Sequence, residues 1–123
     1  MGKGKFKPER HKKGWGYEDW IVNNDKYCGK LLLFEKNKKC SLHYHKIKDE
    51  TFYLQSGKLK LILADSLEEY NNGDVVEIIM EKGDCLYIWP GRVHQMIALE
   101  DSELFEFSTR HIEEDSYRII KGD

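Results

Sequence analysis

Short β-like runs, in which apolar positions are interleaved with polar ones, recur along the chain at 27–35, 41–45, 51–54, 58–63, 75–80, 85–88, 94–99 and 104–109. A period of two places alternate side chains on opposite faces, the mark of a strand buried on one side. Turn formers separate the runs, among them Gln55-Ser56-Gly57, Asn71-Asn72-Gly73-Asp74 and Glu81-Lys82-Gly83-Asp84. Strands joined by such turns fold back on one another. The spacing therefore predicts an all-β fold, a small antiparallel sandwich or barrel. No stretch sustains apolar residues at i, i+3, i+4 and i+7 over three turns, and only residues 65–72 offer a helical turn.

The chain has 123 residues, of which 40% are hydrophobic and 12% aromatic, enough for one core and too few for two. Residues 14–123 are expected to form a single domain. Residues 1–13 carry six Lys or Arg against one acid and are expected to be a disordered basic arm. The net charge of −2 argues against a nucleic-acid partner. The longest apolar run, Leu31-Leu32-Leu33-Phe34, is far too short to cross a bilayer. No apolar leader segment stands near the start, and Cys28, Cys40 and Cys85 form no CxxC pair, so a cytoplasmic protein with reduced thiols is expected. The apolar, aromatic-rich first strand suggests a homodimer.

Candidate chemistry begins at Ser41-Leu42-His43-Tyr44-His45, where strand alternation sends His43 and His45 to one side. Glu50 follows after four residues, and His94 heads a later strand just past Pro90-Gly91. Three neutral imidazole nitrogens and one carboxylate oxygen suit one divalent transition metal: zinc, manganese, iron, cobalt or nickel. The alternative is a cavity whose polar residues merely hydrogen-bond one another.

The spacing HxH, four residues, Glu50, six residues, Gly57, followed by Gly83, ten residues, His94, resembles the paired motifs of the cupin superfamily. That resemblance implies a cupin-type double-stranded β-helix, a small jelly-roll barrel, with His43, His45, Glu50 and His94 as metal ligands inside it. Asn37 stands where the family's first motif opens with Gly, and Asn also tolerates a left-handed turn. A second resemblance covers most of the body. Lys13-Gly14-Trp15-Gly16-Tyr17-Glu18, the Ser41–His45 strand, Leu104–Arg110 and the acidic tail leading to Arg118 are similar to the cupin domain of type II phosphomannose isomerases, although that family commonly has Gln at the position of His43.

The resemblance implies a sugar or sugar-phosphate isomerase or epimerase that uses the metal as a Lewis acid while a base moves a proton between neighbouring carbons. Glu106 is the candidate base, sharing one strand face with Leu104 and Ser108. Arg92, two residues before His94, is the candidate contact for an anionic substrate, with Arg110, Arg118 and Lys30 as further cations. Two other functions remain open: an iron(II)-dependent dioxygenase of a small organic substrate, and a non-catalytic metal- or sugar-binding module.

Overall fold

The structure, a computed structural model, describes residues 2–123. In chain order the strands are β1 (Glu9–Lys13), β2 (Gly16–Asn23), β3 (Cys28–Phe34), β4 (Leu42–Tyr44), β5 (Glu50–Ser56), β6 (Lys58–Ala64), β7 (Val76–Glu81), β8 (Cys85–Ile88), β9 (Val93–Ala98), β10 (Ser102–Ser108) and β11 (Tyr117–Ile120). One short helix, α1 (Leu67–Asn71), lies between β6 and β7, its first turn capped by the Ser66 side chain, which accepts from the Glu69 N–H. Six strands form one sheet in the order β1-β2-β3-β10-β5-β8, and five form the other in the order β11-β4-β9-β6-β7. All the pairings are antiparallel, and the two sheets face each other as the layers of a jelly roll.

Alternation decides which residues meet between the layers. Along β3, Cys28, Lys30, Leu32 and Phe34 point inward, along β5 Glu50, Phe52 and Leu54, and along β10 Ser102, Leu104 and Glu106. At one end these rows are apolar. There Phe34, Leu54, Leu59 and Leu104 are fully buried, and Trp15 stacks on Phe34 with ring centres 4.3 Å apart. At the other end the same strands turn polar, with Lys30, Glu106 and Glu50 facing His94 of β9. One end is thus a close-packed plug and the other a lined cavity.

Two segments differ from the sequence reading. Residues 9–13, expected within a disordered arm, form β1 and pair with β2 from Glu9↔Trp20 to Lys13↔Gly16. Side-chain contacts hold this charged strand in place: Arg10 makes a two-pronged pair with Asp19 at 2.8 and 3.0 Å, and His11 stacks on Trp20 at 4.0 Å. The tail also returns as strand β11 against β4. Asn37 does adopt the left-handed conformation, at φ 71. Cys28 and Cys40 are buried free thiols and Cys85 is exposed. Among the described residues no helix is long and apolar enough to cross a membrane.

Gly57 closes the β5–β6 turn at φ +89, and a Cβ there would run into the Asp101 carbonyl and the Ser102 side chain. Both the strained φ and the collision oppose any larger residue. Gly57→Ala is therefore expected to lower stability by about 2 kcal/mol or more, read as a fall in the midpoint of chemical unfolding. A midpoint equal to that of the parent protein would contradict this packing.

Candidate metal centre

His43 lies on β4 and His94 on β9, directly opposite each other in the antiparallel register, and His45 follows β4 by one residue. One coordinating atom from each of the three lies within 4.8 Å of the others, so the group could hold a metal ion. The orientation of every ring is set by a backbone carbonyl. Nδ1 of His43 donates to the Ser41 carbonyl at 2.9 Å, Nδ1 of His45 to the Asp115 carbonyl at 3.0 Å, and Nδ1 of His94 to the Arg92 carbonyl at 2.9 Å. A carbonyl only accepts, so each Nδ1 carries the proton and each Nε2 is left with a free lone pair. Burial pushes all three imidazoles down to about 3, which keeps them neutral and in the ligand form.

Glu50 approaches two of these histidines from the opposite sheet. Its Oε2 lies 3.5 Å from Nε2 of His45 and 3.6 Å from Nε2 of His94. Both nitrogens present lone pairs, so neither contact is a hydrogen bond, and Oε2 is a buried acceptor with no donor. Three imidazole lone pairs that converge, with an unpartnered carboxyl oxygen beside two of them, are stranded from water, an arrangement that a cation relieves.

Behind Glu50 stands a residue the sequence reading passed over. Lys48 is buried, with Nζ 2.5 Å from Glu106, 3.7 Å from the other Glu50 oxygen and 3.2 Å from Nδ1 of His111. Burial would raise the Glu106 carboxyl, but Lys48 and Lys30 overcome it and hold Glu106 well below the usual carboxylate range. Glu50 moves the other way, raised by burial and by the Glu106 charge. Lys48 shares the strand parity of Glu50, two residues on, and that parity was the available signal. Asp115 was also missed. Its carboxylate accepts the backbone N–H groups of Lys46, Ile47 and Lys48 at 2.9–3.1 Å, fixing the loop between His45 and Glu50. No local signal could have found it, because its partners are nearly seventy residues away.

These groups line a cavity of about 200 Å³ between the sheets, walled on its apolar side by Trp15, Leu32, Phe52 and Met96. Glu106 faces it, as strand parity with Leu104 requires. Lys30 and Arg118 also line it, while Arg110 pairs with Asp25 on the surface. Arg92 does not overhang the site as expected. Its guanidinium lies 4.0 Å over the Trp89 ring, donates to the Tyr87 carbonyl and approaches Asp65, so it lies outside the cavity lining. The reason is the turn before it: Gly91 takes φ 91 and donates to the His45 carbonyl, directing the Arg92 carbonyl rather than its side chain toward His94.

The neutral histidines make the metal-free protein sensitive to acid. Unfolded imidazoles take a proton near pH 6.5 and the folded ones only near 3. The share of folding stability that the histidines control is therefore whole above about 6.5 and declines as the pH falls toward 3. Unfolding midpoints of chelator-treated protein, measured across that range, are expected to fall more gently in His94→Gln, by the slope of one proton. Parallel curves for the two proteins would contradict a neutral buried His94.

The geometry agrees with the fold comparisons. CapF from Staphylococcus aureus, described as a capsular polysaccharide assembling protein, superposes with a TM-score of 0.79 at 15% identity over 94% of this chain and 35% of its own. Oxalate decarboxylase from Bacillus subtilis gives 0.76 at 18% identity, over 93% and 31% of the two chains. KdgF from Halomonas sp. gives 0.70 at 14% identity, over 93% and 94%. The chain thus spans about a third of the CapF and oxalate decarboxylase chains. At these identities the likeness is one of fold. No curated protein sequence matches. The family model described as Cupin domain matches residues 30–107, a span that takes in His43, His45, Glu50, His94 and Glu106, and the chain belongs to that family.

Proposed function

We propose that the protein is a metal-dependent enzyme that moves a proton on a small polyhydroxylated substrate, a sugar or sugar-phosphate isomerase or epimerase, with His43, His45, Glu50 and His94 holding one divalent ion. The observation that carries this reading is one cavity that holds three histidines, the unpartnered Glu50 Oε2 beside the Nε2 lone pairs of His45 and His94, and a second carboxylate, Glu106, outside the ligand set. A bound divalent ion would supply Lewis acidity at a carbonyl or hydroxyl oxygen.

The remaining chemistry belongs to the chain. Glu106 is ionised, faces the cavity and is steadied by Lys48 and by the Ser108 hydroxyl, which donates to its Oε2 at 3.1 Å. In this reading it takes a proton from a carbon beside a carbonyl and returns it to the neighbouring one. When Glu106 accepts that proton, Lys48 keeps Glu50 as a partner, so no ammonium is left unpaired. Trp15, Leu32 and Phe52 keep that side of the cavity dry. The resemblance of residues 13–18, 41–45 and 104–118 to the cupin domain of type II phosphomannose isomerases supports a sugar substrate, and the structural likeness to CapF, a capsular polysaccharide assembling protein, is in keeping with it. A homodimer belongs to the same reading, supported by exposed Phe107 and Tyr87 on the outer face of the six-stranded sheet.

The test is solvent exchange. Protein loaded with manganese, zinc or iron and incubated with free and phosphorylated sugars in deuterated water is expected to exchange the proton beside the carbonyl. Glu106→Gln is expected to slow that exchange by about 10²–10⁴-fold at unchanged metal content, whereas His94→Ala loses the metal. Oxygen consumption dependent on iron, without exchange, would replace this reading with a dioxygenase. Binding without either reaction would replace it with a binding module.

A further inference from the structure

We infer that the cavity selects a monoanionic ligand and that Lys30 anchors its carboxylate. This rests on the metal-dependent reading above and narrows its substrate class to polyhydroxylated carboxylates, sugar acids rather than sugar phosphates.

Lys30 occupies the inner face of β3, with only 2% of its surface exposed. It stands in register between Trp20 on β2 and Glu106 on β10, and it lines the cavity. Its Nζ lies 4.5 Å over the Trp20 ring and 3.5 Å from Oε1 of Glu18, an oxygen that already accepts the Trp20 indole N–H at 2.9 Å. An ammonium carries three N–H donors. One long contact to a shared oxygen leaves Lys30 with donors to spare among the described residues, whereas Lys48 has Glu106, Glu50 and His111 around it. A buried lysine with free donors facing a cavity calls for an acceptor from the ligand.

Formal charge decides which anion fits. Inside the cavity two ammoniums, Lys30 and Lys48, face three carboxylates, Glu18, Glu106 and Glu50 in the ionised form that a ligand takes, and each histidine, with Nδ1 donating to a carbonyl and Nε2 free, adds no charge. The excess is one negative charge, which a divalent ion turns into one positive charge. A carboxylate brings the loaded cavity to neutrality. A phosphate dianion would leave an uncompensated negative charge against an apolar wall, where charge is costly. At the mouth Lys13, Arg118 and Lys121 outnumber Glu113 and Asp123, which draws anions inward.

Three ligands on one carbon skeleton separate the possibilities: gluconate, neutral sorbitol and sorbitol 6-phosphate, each titrated calorimetrically into manganese-loaded protein whose metal content is measured separately. Gluconate is expected to bind at least about tenfold tighter than either of the others, since a buried charged pair contributes that much or more. In Lys30→Met and Lys30→Gln the preference is expected to vanish while manganese stoichiometry stays at the parental value. Equal affinities, a preference for the phosphate, or a gluconate preference that survives in both variants would each overturn the inference. If neither variant folds, a parental ranking in which gluconate is not the tightest ligand still overturns the inference. Protein that takes up no manganese would remove the metal-dependent reading, a result distinct from metal-loaded protein that ignores the carboxylate.

Discussion

The Lys48 ammonium, held between Glu106 and Glu50 in the interior of the barrel, is the interaction on which the polar half of the molecule depends. Two carboxylates this close and this buried cannot both stay ionised without a cation between them. Placing that cation is the task of the loop from His45 to Glu50, whose backbone N–H groups are gathered by the Asp115 carboxylate. Asp115 also offers its carbonyl to His45. A single residue of the returning tail thereby positions a metal-ligand candidate and the central lysine together.

The two-layer fold makes this possible because each strand runs from the apolar plug to the polar cavity. Leu104 precedes Glu106 on β10, Leu54 and Phe52 follow Glu50 on β5, and Met96 follows His94 on β9. Burial of the apolar ends supplies the stability, and the antiparallel registers then carry the polar residues to fixed positions a few residues away. Lys30 meets Glu106 across β3 and β10, and His43 meets His94 across β4 and β9. His43, Glu50 and His94 are thus held by strands, and His45, one residue past β4, by the Asp115 carbonyl, which favours a preorganised site.

Alternation made much of this legible in the sequence. It placed His43 and His45 on one face and left Glu106 facing either the cavity or solvent, a choice that only the burial of Leu104 decides. It could not deal with segments whose order comes from partners distant along the chain. The run Glu9-Arg10-His11-Lys12-Lys13 looks like a solvated arm until Asp19 and Trp20 are brought beside it. Arg92 shares the parity of His94 but sits in a turn, where φ of Gly91 rather than strand alternation sets direction. Asp115 is a surface acid by composition, and only its three backbone donors turn it into a buried support.

The same geometry that prepares the site works against the protein without a ligand. Three imidazoles are fixed with their lone pairs inward, and Glu50 Oε2 faces them with no donor, so the folded chain carries repulsions that the unfolded chain does not. Whatever relieves them binds the folded form alone and stabilises it by mass action. A divalent ion would relieve the acceptors, and an anion would relieve Lys30, yet neither alone would bring the loaded cavity to neutral charge. Each would therefore strengthen the binding of the other, and because such coupling is reciprocal, metal affinity would be the quantity through which the nature of the small ligand makes itself felt.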